Sequence, residues 1–332
     1  MKYGLWHKIK IMLGRQPTKP LKDEIPAAVN EIYLSKRGNK EFAQELRDTK
    51  ITFKNPQKWL KRRWVVLILV NLLFMVSYSL DIQILEGALT ASRFVGFHMA
   101  DLNSALQVML ASKTLLINLL IGIVTLLILW TLLGGRTFCS WVCPYHLLSE
   151  IAEKIHLILV KKKIITNHTF DRRVRFVFYL IFALLALSTG YTVYEVISPT
   201  GILSRALIYG PSVALFWVAF LLLLETFYSR RLWCRYVCPI GLTYGFVGTL
   251  SPLKVNYNIK DCHHEGDCRK VCLVPHVLDW TIRGRNPKIN MDLGPDCTRC
   301  GMCVDVCPTN SLTFRFEGLS KKLDDDKNSK TN

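Results

Sequence analysis

Four long apolar stretches dominate the hydrophobic pattern of the chain. They cover Trp64–Leu80, Thr114–Leu133, Phe176–Val196 and Pro211–Tyr228, and the first two contain no charged residue. An α-helix rises 1.5 Å per residue, so about 20 apolar residues cross the ~30 Å hydrocarbon core of a bilayer. The pattern predicts an α-helical integral membrane protein with four transmembrane helices, and a helical bundle packed in water is the alternative.

A polar pattern with strand-like alternation follows the apolar part. Leu253–Ile259, Lys288–Met291 and Ser311–Phe316 are typical of short strands, and cysteine clusters lie between them. We expect a basic N-terminal segment, a four-helix membrane domain, a small α+β domain and a disordered tail. Their predicted boundaries are 1–63, 64–250, 251–317 and 318–332.

The charge of the chain is uneven, and its distribution predicts an orientation. The formal net charge is +18, and residues 1–63 hold 16 Lys and Arg against 6 Asp and Glu. The only Lys and Arg residues in the loops at 81–113 and 197–210 are Arg93, Lys113 and Arg205. Because Lys and Arg accumulate in cytoplasmic loops, both termini are expected on the cytoplasmic side. No nucleic-acid-binding module accompanies the charge, so no nucleic-acid partner is expected.

All 11 cysteines fall in the segments expected on the cytoplasmic side. A reducing compartment disfavours a disulfide framework, which leaves metal or redox chemistry. Nothing in residues 1–63 indicates chemistry, and we interpret this segment as an anchor or a docking tail.

One cysteine motif occurs twice. The sequence Arg-Thr-Phe-Cys-Ser-Trp-Val-Cys-Pro at 136–144 and the sequence Arg-Leu-Trp-Cys-Arg-Tyr-Val-Cys-Pro at 231–239 are offset by 95 residues. The two helix pairs are therefore interpreted as a parallel duplication. Four cysteines belong to the motif: Cys139, Cys143, Cys234 and Cys238. Such C-x3-C pairs suit a cluster, another metal or a dithiol, and buried small side chains are the structural alternative.

The most specific motif lies near the C-terminus. Cys297, Cys300, Cys303 and Cys307-Pro308 have the spacing of a bacterial ferredoxin run, in which three thiolates bind one cluster and the fourth reaches a second cluster. A structural zinc site would need only four thiolates, usually in two separate pairs. The spacing therefore predicts that 251–317 is a two-cluster ferredoxin-like domain.

A similar run precedes this one in the chain, and one of its four cysteine positions is substituted. Cys262, Cys268 and Cys272 match three of the four cysteines, and Glu265 stands where Cys300 stands. Crossed ligation assigns Cys297, Cys300, Cys303 and Cys272 to one [4Fe-4S] cluster, and Cys262, Cys268 and Cys307 to the other. The second cluster is expected to be [4Fe-4S] or [3Fe-4S]. Its fourth iron is absent, or is bound by Glu265, water, His263 or His264, or by a thiolate from elsewhere.

These features together resemble the NapH/MauN family of ferredoxin-type quinol dehydrogenase components. The resemblance runs from about Trp64 to Phe316; its departures are Glu265, Leu273 in a usual Pro position, and a longer basic N-terminus. It implies a bacterial inner-membrane protein that oxidises quinol and passes electrons through iron–sulfur clusters toward a periplasmic nitrate reductase. The implied partners are the membrane quinone pool, a separate ferredoxin subunit and a cytochrome or reductase complex.

Quinol oxidation needs a proton acceptor, for which Glu225 and His98 are weak candidates. Glu225 could instead pair with Arg230 or Arg231, and His98 could be incidental. The alternative function is a metal-handling oxidase-assembly factor of the CcoG type, and a third is an anchor whose clusters are structural.

Overall fold

The computed structural model describes residues 5–15, 25–36, 39–53, 55–80, 85–89, 91–94, 97–114, 117–286 and 288–317. Among these residues, four helices precede the first strand: α1 (Leu5–Met12), α2 (Ala27–Lys36), α3 (Lys40–Thr52) and α4 (Lys58–Ser79). A small sheet follows, made of β1 (Leu85–Ala88), β2 (Ala91–Phe94) and β3 (Phe97–Ala100). The strands pair antiparallel in the order β1-β2-β3, in a region where the sequence predicted only a loop.

The central part of the chain is helical. Its helices are α5 (Leu102–Ser112), α6 (Ile117–Leu133), α7 (Thr137–Trp141), α8 (Pro144–Lys161), α9 (Val174–Thr189), α10 (Val193–Ile197), α11 (Pro199–Tyr209), α12 (Leu215–Phe227), a π-helical turn (Trp233–Val237) and α13 (Pro239–Leu250). Large aromatic side chains such as Trp130, Phe138, Tyr194, Trp233 and Tyr244 fill the space between them. This aromatic core surrounds both copies of the duplicated cysteine motif.

The prediction of four transmembrane helices is wrong. Among the described residues, no helix is both long enough and apolar enough to cross a membrane. Helix α6 has 17 residues, α9 has 16 and α12 has 13, whereas α4 has 22 but begins with a basic turn. The third apolar stretch is interrupted because Gly190 adopts a left-handed conformation (φ +69°) and ends α9. The inner-membrane, multi-pass localisation depended on those spans and is corrected with them.

The C-terminal part is an α+β unit, and its three predicted strands are confirmed. Strands β4 (Leu253–Asn258), β5 (Asn290–Asp292) and β6 (Leu312–Phe316) form an antiparallel sheet in the order β5-β4-β6. Two short helices, α14 (Asp267–Val271) and α15 (Met302–Asp305), and a 3-10 helix (Pro275–Thr281) carry the cysteine runs beside the sheet.

The N-terminal segment is part of this C-terminal core. Val29 and Tyr33 of α2 are buried in one hydrophobic cluster with Val255, Tyr257 and several cysteines. The Nζ atom of Lys36 donates to the carbonyl oxygens of Ile259 and Cys262, at 2.8 and 2.9 Å. The segment that the sequence suggested as an anchor or tail therefore completes the cysteine-rich unit.

Candidate iron–sulfur sites

Both copies of the duplicated motif place their second cysteine in the same way. Cys143 and Cys238 have nearly equal backbone angles (φ −66°, ψ 116° and φ −63°, ψ 111°), and each precedes a proline that begins a helix. Proline suits the first helical position because its missing N–H has no intrahelical partner there. The first cysteine of each pair lies one turn earlier, Cys139 in α7 and Cys234 in the π-helical turn. The geometry of the second cysteine is thus repeated, whereas the arginine that begins each motif differs, with φ −65° at Arg136 and φ +50° at Arg231.

The four motif cysteines line one cavity of about 350 Å³, which we call the quartet cavity. Five arginines also line it: Arg136, Arg172, Arg175, Arg231 and Arg235. Four of them keep a buried nitrogen that has no hydrogen-bond partner among the described residues: Arg136 Nε, Arg172 Nη1, Arg231 Nη2 and Arg235 Nη2. Unsatisfied buried guanidinium donors are costly, so the cavity is built for an anionic group.

The thiols of the quartet cavity are protonated in the absence of a bound metal. Burial raises the pKa of Cys139 to about 11, although the charge of Arg136 acts in the opposite direction. Burial raises the pKa of Cys143 to about 12, against a hydrogen bond with Thr200, whose Oγ1 lies 3.2 Å from the sulfur. Metal binding therefore displaces protons here, and the arginines are placed to balance the thiolate charge that results. This donor set fits an iron–sulfur cluster.

The motif arginines have different partners in the two halves. Arg136 Nη1 donates to Oδ1 of Asp296 at 3.0 Å, so the first motif is joined to the second ferredoxin run. Arg231 and Arg230 both pair with Glu153 of α8, within the helical part. Burial alone would raise the pKa of Glu153, but the two arginines outweigh it and hold this pKa at about 2.

Asp296 is the centre of a buried charge network. Besides Arg136, it accepts from Arg175 Nη2 at 3.1 Å, Arg172 Nη2 at 3.2 Å and His276 Nε2 at 2.8 Å. Burial opposes its ionisation, but the charges of Arg175 and Arg136 and the hydrogen bond from His276 hold the pKa of Asp296 well below its usual range. Asp296 is not among the residues predicted from the sequence, although its place immediately before Cys297 was available as a signal.

The ferredoxin cysteines have cysteine neighbours in both runs. The pKa of Cys272 is raised by burial and then by the nearby thiolates of Cys300 and Cys297. The pKa of Cys268 is raised to about 11 by burial, against a hydrogen bond with Thr281, with further increases from Cys262 and Cys307. The structure thus brings Cys272 to the second run and Cys307 to the first.

The quartet cavity and the second ferredoxin run are in direct contact. Ser140, next to Cys139, donates through Oγ to the carbonyl oxygen of Thr298 at 2.7 Å. Trp141 Nε1 donates to the carbonyl oxygen of Arg299 at 3.2 Å, and the Arg299 side chain donates to Gly134 O and Cys297 O. Short hydrogen-bonded paths of this kind connect residues beside the quartet cysteines with residues of the second ferredoxin run.

The two candidate proton acceptors are placed differently. Glu225 is fully buried, and its carboxylate accepts from Ser149 Oγ at 2.5 Å and from the Trp233 backbone N–H at 3.1 Å. Arg230 and Arg231 are engaged with Glu153 instead. The backbone of His98 lies in β3 opposite Arg93, and its side chain is outside the described part of the structure.

Asp101 is another buried carboxyl group of the helical core. Asp101 accepts from the hydroxyl of Tyr244 at 2.7 Å and caps α5 by accepting from two backbone N–H groups, those of Asn103 and Ser104. Burial raises the pKa of Asp101 to about 6, against the hydrogen bond from Tyr244.

No group of three or more His, Cys, Asp or Glu side chains in the described residues has the geometry to hold one metal ion. A cluster has different requirements, because each thiolate binds a separate iron at a corner of the cubane.

Comparison with known proteins agrees with these sites. A family described as "4Fe-4S binding domain" matches residues 115–166 and 209–258, which contain the duplicated motif, and a second family of the same description matches 296–313. The ferredoxin-type protein MauN of Methylorubrum extorquens, named for methylamine utilization, is 30% identical over 266 residues, 79% of this chain and 91% of the relative.

Two further relatives match over similar lengths. MauN of Paracoccus denitrificans is 31% identical over 242 residues, 72% of this chain and 84% of its own. The ferredoxin-type protein NapH of Escherichia coli is 28% identical over 265 residues, 77% of this chain and 90% of its own. No solved structure matches the chain.

The fold and the cysteine sites define a ferredoxin-type iron–sulfur electron-transfer protein. Within that class, the chain belongs to the MauN/NapH family, which confirms the resemblance noted from the sequence.

Proposed function

We propose that the protein oxidises a quinol and conducts the electrons one at a time between three cysteine sites: the quartet cavity and the two ferredoxin sites. The observation that carries this proposal is the hydrogen-bonded contact between the quartet cavity and the second ferredoxin run, through Ser140 and Thr298. An iron–sulfur cluster, when bound, supplies one-electron transfer, which two-electron oxidation of a quinol requires twice.

The chain's own residues set the conditions for that transfer. In the quartet cavity, Cys139, Cys143, Cys234 and Cys238 would hold a cluster, and the surrounding arginines would balance its negative charge. In the ferredoxin-like unit, Cys272, Cys297, Cys300 and Cys303 would hold one cluster, and Cys262, Cys268 and Cys307 would hold most of another. Burial of the second run excludes water from its cysteines, of which Cys297, Cys300 and Cys303 are each less than 10% exposed.

Quinol oxidation releases two protons with its two electrons, so a proton acceptor is part of the proposal. Glu225 is the candidate with a described side chain, and it lies beside the motif through its bond with the Trp233 N–H. His98 remains the second candidate. Conversion of Glu225 to Gln keeps the hydrogen-bonded shape but removes the basic oxygen, so quinol turnover should fall while the cluster spectra stay unchanged.

Membership of the MauN/NapH family indicates partners in a membrane electron-transfer chain. We propose a separate ferredoxin subunit as the first acceptor, with a cytochrome or a periplasmic reductase of the nitrate reductase type beyond it. The support for this order is the family resemblance alone. A methylamine-utilization chain is the other acceptor system suggested by the names of the relatives.

The test is anaerobic purification of the full chain, iron and sulfide analysis, and spectroscopy before and after addition of menaquinol or ubiquinol. Reduction of the clusters by quinol is expected; clusters that stay oxidised would exclude direct quinol oxidation by this protein alone. The double variant Cys139→Ser, Cys234→Ser should lose about four irons per chain and keep the ferredoxin signals. Unchanged iron content, with stoichiometric copper binding that only the wild type retains, would favour metal handling instead.

A further inference from the structure

The two ferredoxin runs have the same backbone fold around their second position. His264 and Arg299 both adopt positive φ (57° and 51°), and so do Gly266 and Gly301 (82° and 77°). The backbone N–H of His264 donates to the sulfur of Cys262 at 3.3 Å, and that of Arg299 donates to the sulfur of Cys297 at 3.4 Å. In both runs a short helix begins directly after the glycine.

Glu265 therefore occupies the backbone position that Cys300 occupies in the other run. Its Oε1 atom is buried and has no hydrogen-bond partner among the described residues. Within those residues, no Lys, Arg or His nitrogen lies within ion-pair distance of its carboxylate. An unpaired buried carboxylate oxygen is expensive, and the cost disappears if the oxygen binds a cation.

The neighbouring histidines are held by other elements. The ring of His263 packs edge-on against Phe42 at 5.3 Å, and its Nε2 lies 4.0 Å from Glu45 of α3. The ring of His264 lies 5.5 Å from that of Tyr33, and its Nδ1 is 3.3 Å from the carbonyl oxygen of Thr281. Each ring keeps one buried nitrogen without a partner in the described part of the chain, so each histidine needs its own control variant.

We propose that the carboxylate of Glu265 is the fourth protein ligand of the cluster held by Cys262, Cys268 and Cys307. This inference deepens the proposed function and rests on its assignment of a cluster to these three cysteines. One iron is then bound by oxygen, and the other three by thiolates. Oxygen is a harder donor than sulfur, so this iron exchanges more readily than the irons of the all-thiolate cluster.

The mutational test uses the anaerobically purified full chain, with total iron and electron paramagnetic resonance as readouts. Ferricyanide removes one electron from a [4Fe-4S]²⁺ cluster as Fe²⁺ leaves, which yields a paramagnetic [3Fe-4S]⁺ cluster. We expect Glu265→Ala and Glu265→Gln to contain about one iron fewer per chain as purified; the cluster that remains is [3Fe-4S]⁰, and ferricyanide should convert it to the three-iron signal by removing one electron, without further loss of iron. We expect Glu265→Cys to form at least about tenfold less of this signal than wild type under ferricyanide, because a thiolate replaces the oxygen.

The matched control is Cys300→Glu, which places a carboxylate at the equivalent position and should give the second run the same ferricyanide sensitivity. The inference is overturned if Glu265→Ala and wild type agree in iron content and signal. It is also overturned if His263→Ala or His264→Asn causes the iron loss and Glu265→Ala does not. A wild-type chain without iron at the ferredoxin cysteines contradicts the proposed function itself, so the two failures are distinguishable.

Discussion

Arg136 Nη1 lies 3.0 Å from Oδ1 of Asp296, although 160 residues separate them in the chain. Arg136 begins the first copy of the duplicated motif, and Asp296 immediately precedes the second ferredoxin run. Both side chains are almost completely buried. A buried ion pair of this kind fixes the relative position of the two cysteine sites, because separating the partners leaves uncompensated charge.

Replacement of Asp296 by Asn should destabilise the protein by about 3 to 5 kcal/mol, since the buried guanidinium groups of Arg136 and Arg175 lose their counter-ion. The measurement is denaturant unfolding of the anaerobically purified chain at pH 7. The control is Asp171→Asn, which breaks an exposed pair with Arg173 and should cost less than about 1 kcal/mol. Equal losses in the two variants would contradict the assignment.

Glu153 provides a second test of a buried network. Glu153→Gln should cost about 3 kcal/mol or more at pH 7, because Arg231 is only 2% exposed and loses its carboxylate partner. The pKa of Glu153 is lowered to about 2, so its stabilisation is fully present above its usual pKa of 4.5 and is lost as pH falls toward 2. The difference in unfolding free energy between wild type and Glu153→Gln should therefore be nearly the same at pH 7 and at pH 5. Equal unfolding free energies of wild type and Glu153→Gln at pH 5 would contradict the lowered pKa of Glu153.

Two glycines with the same backbone angle separate steric from conformational effects. Gly301 and Gly284 both have φ +77°, but a Cβ at Gly301 would lie 2.5 Å from the side chain of Trp59, whereas nothing lies within 4 Å at Gly284. Gly284→Ala should cost about 1 kcal/mol from backbone strain alone. Gly301→Ala should cost at least about 1 to 3 kcal/mol more, because the rigid indole must move. The comparison is made by thermal or denaturant unfolding, and similar costs would show that Trp59 yields freely.

Asp101 predicts a pH dependence of the opposite sign. Its pKa is raised from 3.8 to about 6, so stability falls as pH rises above 3.8, where the carboxyl ionises in the unfolded chain but not in the fold, and the loss is complete above about pH 6. Asn at this position can still cap α5 and accept from Tyr244, but it does not titrate. The stability of Asp101→Asn relative to wild type should rise by about 1 to 3 kcal/mol between pH 4 and pH 7 and stay constant at higher pH. A difference that is independent of pH from about pH 4 to pH 7 would place the titration elsewhere.

Local patterns in the sequence predicted the cysteine-rich unit well. The strands β4, β5 and β6 and the cysteine runs follow from alternation and spacing, which are properties of a few neighbouring residues. The apolar stretches are a different case, because a run of apolar residues predicts a continuous span even where the backbone is interrupted. Gly190 ends α9, and α12 begins only at Leu215, four residues after Pro211.

Long-range pairs could not be predicted in the same way. The partners of Arg136 and Arg231 come from different elements in the two halves, although the motifs share their Arg, both Cys, Val and Pro. The contribution of Tyr33 and Lys36 to the ferredoxin-like core was missed because α2 is a short helix in a basic segment, and its local pattern does not distinguish a packed helix from a surface tail.

The role of the N-terminal segment has a consequence for the order in which the protein matures. The N–H groups of Trp59 and Leu60 donate to Asp305, across 246 and 245 positions of the chain, and Lys36 reaches Cys262 across 226. Contacts of such large sequence separation form late, and during synthesis the N-terminal helices emerge long before their partners. Closure of the cluster-binding loops, and with it the secure retention of iron, therefore comes only after the ribosome has synthesised the chain beyond Asp305.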